Sequence, residues 1–298
     1  MKPYQKIVVA IDYSESSKVA LFQALQISRE SGARLMAFHA ISPRELENFA
    51  VYYTVGRAPL VEEALEFLER WVEEVLGENH GVICQVREGV PHREVSDLTQ
   101  ETGSDLLVIG SKDHAEAPDR SGKFAIKCLR FMTIPILLAR KGWDYPYSRI
   151  DAFVDFSAST ESVMAATDRI VGCHDPEVHI VHATSPPWLH PPRYRILADP
   201  NGLEEQKAQY REILEGQLES VCQKFRDLLP SPPTATVLED EYHERAILNH
   251  LSDSQTGLAI LGRTGEGAKG MKNDFLGGTA EALLRFAHCS VLTIPVLD

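Results

Sequence analysis

The chain has 298 residues, of which 44% are hydrophobic and 24% charged, and its formal charge is -13. The length favours two domains of ordinary size, and no apolar run approaches the ~20 residues that cross a bilayer. The acidic balance excludes a surface built to attract double-stranded nucleic acid, and five scattered cysteines without a Cys-x-x-Cys pair argue against a disulfide framework or a zinc ribbon.

Met1–Lys6 lack the basic, apolar and small-residue order of a secretion signal, so a cytoplasmic location is expected. The first element is an apolar run that ends on Asp12 and passes into a Ser-rich helix start. Four further strand-like runs follow, so that the first half carries predicted strands at 6–11, 34–40, 82–87, 105–109 and 134–139. Helical patterns alternate with them, which predicts an α/β fold with a parallel sheet covered on both faces. The helix before the third strand carries Leu60, Ala64, Leu65, Leu68, Trp71, Val72 and Val75 at helical spacing, and these are expected in the core.

The design then repeats. IVVAID at 7–12 returns as DAFVDF at 151–156, setting Asp12 and Asp155 143 residues apart, and DLLVIG at 105–110 returns as LAILG at 258–262. TIPILL at 133–138 likewise returns as HCSVLT at 288–293. The stretch around Lys141–Pro146 breaks both periods and reads as the linker, giving domains 1–142 and 143–298. In the second half Tyr210, Ile213, Leu214, Leu218, Val221, Cys222 and Phe225 form the matching core stripe. Residues 42–59 and 184–202 read as long irregular segments: lids or protein-partner surfaces, or else disordered.

The stretch richest in chemistry is Gly262-Arg-Thr-Gly265, continuing through Gly267, Lys269, Gly270 and Lys272 to Gly277-Gly278-Thr279 at a helix start. Glycines let backbone amides approach an anion, and a helix N-terminus adds open N–H donors. Gly265-x-Gly267-x-x-Gly270 matches the dinucleotide fingerprint in letters but follows the fourth strand of its half, not the first, and Met271 stands where a P-loop needs lysine. Two plainer readings stay open: Asp12 and Asp155 as helix caps, and the glycine run as a surface connection. His179 and His182, three apart on a strand, face opposite sides and read as ordinary histidines rather than zinc ligands. No metal is expected beyond Mg²⁺ accompanying a nucleotide, and no residue stands out as a catalytic base.

The glycine run resembles the universal stress protein motif Gly-x2-Gly-x9-Gly-Ser/Thr. Gly262 and Gly265 supply the first pair, Gly277 follows after eleven residues, and Gly278 and Thr279 occupy the end. The resemblance covers the chain as two repeats. It implies five-stranded parallel sheets of order 3-2-1-4-5, the adenine nucleotide α-hydrolase-like arrangement, and ATP as ligand. In the second repeat it assigns adenine to Asp155 and the Val154 backbone, the base pocket to Ala183, and ribose and phosphates to Gly262, Gly265, Gly277, Gly278 and Thr279. It further implies a stress-response regulator with at most slow ATPase activity, and pairing of the repeats through 134–139 and 290–295 as an internal pseudo-dimer, or a homodimer. The first repeat departs further, with Asp113 at the second glycine and Lys123 in the Ser/Thr slot, so ATP is not expected there. The second repeat replaces Gly89-Val-Pro91 by Glu241-Tyr-His243. The alternative is a non-nucleotide small-molecule or partner-binding scaffold. An adenylating synthetase is the weakest reading, since no Ser-Gly-Gly-like loop follows either first strand.

Overall fold

The computed structural model describes residues 2–52, 57–111, 123–142, 145–172, 174–190, 203–263 and 277–295, with the backbone alone for 48–52 and 57–59. The chain separates into two compact units, Lys2–Tyr145 and Pro146–Asp298.

The first unit runs β1 (Lys6–Ala10), α1 (Glu15–Ser31), β2 (Arg34–Ile41), α2 (Pro43–Tyr52), α3 (Arg57–Leu76), β3 (Ile83–Glu88), α4 (Pro91–Thr102), β4 (Leu106–Gly110), α5 (Lys123–Phe131) and β5 (Ile136–Ala139). Its strands are all parallel in the order β3-β2-β1-β4-β5. Right-handed crossovers set α1 and α3 on one face and α4 and α5 on the other, so the central strands are buried from both sides, as Ile7, Val8, Val9 and Leu106–Val108 show. Reversing the winding at β1 and β4 opens a crevice at the carboxyl ends of those two strands, where such sheets take ligands.

The second unit runs β6 (Arg149–Phe153), α6 (Ser159–Val171), β7 (Glu177–Thr184), α7 (Leu203–Phe225), β8 (Thr234–Glu239), α8 (His243–Ser254), β9 (Leu258–Gly262), α9 (Gly278–Phe286) and β10 (Ser290–Ile294). The order β8-β7-β6-β9-β10, again all parallel, is that of the first unit. Its first strand and fourth strand are therefore neighbours, with Ala152 paired to Ile260.

Two expectations need correction. The stretch predicted as irregular from residue 42 opens instead with α2, which a capping box starts: the Ser42 hydroxyl accepts from Glu45 N at 3.3 Å, and Glu45 Oε2 accepts from Ser42 N at 2.7 Å. Pro43 sits where its missing N–H costs nothing. Ile213, assigned to the core stripe of α7, is 61% exposed, because Leu214, Leu218 and Phe225 define the buried line and residue 213 lies about 100° around the helix from 214. Of the second long segment, residues 184–190 are tied down. Thr184 Oγ1 and Tyr210 Oη lie 2.7 Å apart, Trp188 meets the Tyr210 ring edge-on at 5.1 Å, and the Ser185 hydroxyl donates to the Glu241 carbonyl at 2.6 Å. Residues 191–202 lie outside the described residues.

The cores differ at one point. In the first unit Val8 pairs with Met36 across β1 and β2, and Leu98 of α4 is fully buried. In the second unit the corresponding positions hold Asp151, paired with His179, and His250 of α8. Asp151 has no exposure and accepts from His250 Nε2 at 2.8 Å, Thr256 Oγ1 at 2.7 Å and Arg149 Nε at 3.1 Å. Burial alone would raise its carboxyl; the His250 and Thr256 hydrogen bonds and the Arg149 charge bring it below the usual range. The His179 ring stacks on His250 at 5.7 Å, and its Nδ1 lies 2.5 Å from Thr234 Oγ1.

Candidate functional site

At the carboxyl end of its first strand each unit builds the same device from three residues. Asp12 and Asp155 each turn a carboxylate oxygen back onto the following chain. Asp155 Oδ1 accepts from Ser157 N at 3.1 Å, Ser157 Oγ at 2.6 Å and Ser159 Oγ at 2.8 Å. Asp12 Oδ1 accepts from Ser14 N at 3.0 Å and from the Ser14 hydroxyl. The reading of these aspartates as helix caps is corrected: Ser14 caps α1 and Ala158 stands at the N-cap of α6, so each carboxylate closes a turn ahead of the helix rather than capping it.

The next residue is an aromatic in the left-handed region, Tyr13 at φ 62° and Phe156 at φ 58°. A side chain with Cβ adopts this at a cost of about 1–2 kcal/mol, and its recurrence at one position in both units marks a place where the surroundings hold the strain. A histidine on the second strand supplies the hold. His39 Nδ1 lies 2.9 Å from the Ile11 carbonyl and His182 Nδ1 2.9 Å from the Val154 carbonyl, while the Tyr13 and Phe156 rings rest on those imidazoles at 4.7 and 4.3 Å. A carbonyl only accepts, so Nδ1 carries the hydrogen. Burial lowers the His182 pKa against the opposing pull of the Val154 carbonyl and Asp155, which keeps the ring neutral with an acceptor at Nε2.

The histidines are the part of this device that sequence reading missed. Their signal was available: His39 and His182 are separated by the same offset as Asp12 and Asp155.

The assigned residues of the second unit fall around this point. Val154 follows β6; its N–H donates to the Val181 carbonyl at 2.9 Å and its carbonyl takes His182, leaving one carbonyl lone pair. Ala183 is on β7 next to His182, and Gly262 ends β9. Continuing the Ala152–Ile260 register sets Val154 level with Gly262. Gly265, Lys269 and Lys272 lie outside the described residues, but both ends of their loop are placed. Gly277 N donates to the Arg263 carbonyl at 2.9 Å, closing the loop beside the end of β9. Gly277 is then the N-cap of α9, with Gly278 and Thr279 its first two residues, and it has no side chain to cap the first turn. The start of α1, by contrast, is capped by Ser14, whose hydroxyl accepts from Ser17 N at 3.3 Å. Glu244 of α8 reaches the same place, its Oε1 3.1 Å from where a Cβ on Gly278 would stand.

In the first unit the glycine at the end of β4 has a packing reason. A Cβ on Gly110 would lie 2.1 Å from the Ser16 carbonyl oxygen, because the first turn of α1 crosses directly over it. A glycine here is not by itself the mark of a ligand. The crevice beside it encloses about 440 Å³. Ile11, Phe38, Ile109, Phe124 and Leu138 supply an apolar lining, and Asp12, Ser16, Ser17, His39, Ser42 and Glu45 supply polar groups. The Gly89-Val-Pro91 turn starts α4 with Pro91 in its first turn and Gly89 at φ 154°. In the second unit the Asp240 carboxylate does the equivalent work, accepting from Tyr242 N at 2.9 Å.

Among the described residues no group of three or more His, Cys, Asp or Glu side chains is arranged to hold a metal ion, and no helix is long and apolar enough to cross a membrane.

Two stretches, residues 3–140 and 146–295, match the universal stress protein family. The chain is 28% identical over 123 residues to the universal stress protein Sll1388 of Synechocystis, covering 37% of this chain and 79% of that one. It is 23% identical over 124 residues to the universal stress protein MJ0577 of Methanocaldococcus jannaschii, covering 36% and 76%. A universal stress protein from Archaeoglobus fulgidus superposes over 97% of this chain and 98% of its own with a TM-score of 0.62 at 15% identity, a likeness of fold.

Proposed function

Because the chain belongs to the universal stress protein family, we propose that it binds ATP in its second unit and serves there as a cytoplasmic stress-response regulator or sensor, with at most slow hydrolysis. One observation carries this reading. The first turn of α9 has no side-chain cap, and Gly277 folds back on Arg263 so that this turn stands at the end of β9, next to the strand that ends at Asp155. Open N–H groups and the positive end of a helix dipole favour a phosphate there.

The family resemblance supplies the roles. Asp155, with Oδ1 committed to Ser157 and Ser159, has Oδ2 to offer the adenine or ribose, and the second lone pair of the Val154 carbonyl faces the same ligand. Ala183 leaves room for the base. Gly262, Gly265, Gly277, Gly278 and Thr279 hold ribose and phosphates, and Mg²⁺ accompanies the phosphates without a dedicated protein site. In the first unit, Asp113 and Lys123 stand where that pattern has glycine and Ser/Thr, so this unit takes no ATP.

The test is to denature the purified chain and assay released nucleotide, then repeat with Gly265→Asp, which copies the first unit's substitution. Adenine nucleotide released by the parent and lost in the variant supports the reading. No nucleotide from either, with no ATP binding by calorimetry, contradicts it.

A further inference from the structure

The helix α8 is seated on its sheet less firmly than its counterpart α4. In α4 the buried residues are Val95, Ser96, Leu98 and Thr99, and the helix ends on Gly103 at φ 63°. In α8 they are Ile247 and Leu251, and the C-cap is Gln255 at φ 52°, a left-handed conformation that disfavours a residue with Cβ. An open groove of about 530 Å³ runs between α8 and β8, with Leu238, Ala246, Asn249, His250 and Asp253 in its lining.

The middle of α8 is fastened by polar groups instead. His250 Nε2 donates to Asp151 Oδ2 at 2.8 Å, and its ring stacks on that of His179, a half-buried residue of β7, at 5.7 Å and 20°. Among the described residues, the charged groups that face the two rings are Arg149 and Asp151 from β6, Glu177 from β7 and, in the groove, Asp253 of α8 itself. Thr234 of β8 and Thr256, ahead of β9, bring uncharged hydroxyls, and on α9, which packs against α8, Arg285 pairs with Glu281.

Asp151 can match one proton on the pair. A second proton sets two imidazolium rings face to face, with Arg149 already on the same carboxylate, and the repulsion is poorly screened away from bulk water. Burial holds His179 below its ordinary range, with Arg149 and His250 adding to the effect and Asp151 and Glu177 opposing it. Separating α8 from β7 parts the rings and returns both to water.

We propose that the stacked histidines are an acid-sensitive latch: the second proton taken by His179 and His250 frees α8 from β7 and β8 while the rest of the unit stays folded. The same movement carries Glu244, in the first turn of α8, away from Gly278 at the start of α9. The first unit has Met36 and Leu98 at the two histidine positions, so α4 stays seated. None of this depends on ATP in the second unit.

The experiment is hydrogen exchange of the full chain without added nucleotide, read by mass spectrometry at pH 7.5, 6.5 and 5.5 and corrected for the intrinsic pH dependence of exchange. Peptides of α8 are compared with those of α4. A ring that regains the ordinary value of about 6.5 on release favours the released state as pH falls, by at most about tenfold per pH unit. Protection of α8 is therefore expected to fall roughly three- to tenfold from pH 7.5 to 5.5, and that of α4 to change less than about twofold. His179→Gln, which keeps a polar partner for Thr234, and His179→Met, which copies the first unit, each remove one proton acceptor and are expected to abolish the acid response of α8. Protection of α8 that is independent of pH, an equal loss in α4, or an acid response retained in a folded His179 variant would overturn the proposal, and either variant decides if the other fails to fold. With no nucleotide added, such a failure leaves the ATP reading standing, and a chain that binds no ATP leaves the latch standing.

Discussion

His250 holds Asp151 at 2.8 Å in the interior of the second unit, at positions where the first unit has Leu98 and Val8. One copy of a duplicated core is thus apolar, and the other has been rebuilt around a carboxylate with no exposure.

A buried pair broken on one side leaves a charge without its partner, which costs about 3–5 kcal/mol, whereas replacing the whole group by well-packed apolar residues is often neutral or stabilising. His250→Leu alone should therefore lower the urea midpoint markedly. The triple change Asp151→Val, His179→Met, His250→Leu, which copies the first unit, should recover most of the loss. A triple variant less stable than the single would mean that the polar group is required by its surroundings in a way the register does not show.

The same region predicts the response to acid. Burial lowers the pKa of His179, against Asp151 and Glu177 and helped by Arg149 and His250, and burial likewise lowers that of His182. A histidine whose folded pKa is depressed gives stability that is full above the unfolded value of about 6.5 and is lost as pH falls through the folded value. The melting temperature should be flat above about pH 7.5 and decline from about pH 6.5 downward, more gently in His179→Met. Asp151, with a carboxyl already below the ordinary range, adds its own loss only in stronger acid.

Gly110→Ala tests whether a motif glycine serves packing. Its new methyl would sit 2.1 Å from backbone, where no rotamer can relieve it, and overpacking of this kind costs about 1–3 kcal/mol or more. The first unit should lose that much stability in denaturant, and ATP binding by the second unit should not change.

Glu244 stands beside Gly278, at the end of α9 where phosphates are proposed. A carboxylate there opposes an anion, so Glu244→Gln should tighten ATP binding about three- to tenfold, read by calorimetry at low salt, with the gain shrinking as salt rises. An affinity that stays the same or falls would move the phosphates away from the start of α9.

The parallel α/β order was legible because the apolar runs of β1, β4 and β9 lead into Asp12, Gly110 and Gly262, and a run buried on both faces leaves that mark. The Ser42–Glu45 capping box was also in plain letters, and it marks the start of α2 inside the stretch expected to be irregular. Ile213 was misplaced because a 3.6-residue period tolerates neighbours on both sides of the true line. What no local pattern could reveal was the Asp151–His250–His179 group: its members lie on two strands and a helix, and each alone looks like an isolated polar residue in a hydrophobic stretch. The histidine brace at Val154 could have been found, since it repeats at the offset of the aspartates, but residue type alone gave His182 no distinction from a surface histidine.

The central claim is asymmetry: two units of one fold, with ATP in the second alone. Calorimetric titration of the nucleotide-stripped chain with ATP, in parallel with Ala183→Trp and Ala40→Trp, tests it most directly. One ATP per chain, lost in Ala183→Trp and kept in Ala40→Trp, is the predicted result. Two ATP per chain, none, or a single site that Ala40→Trp removes would contradict it.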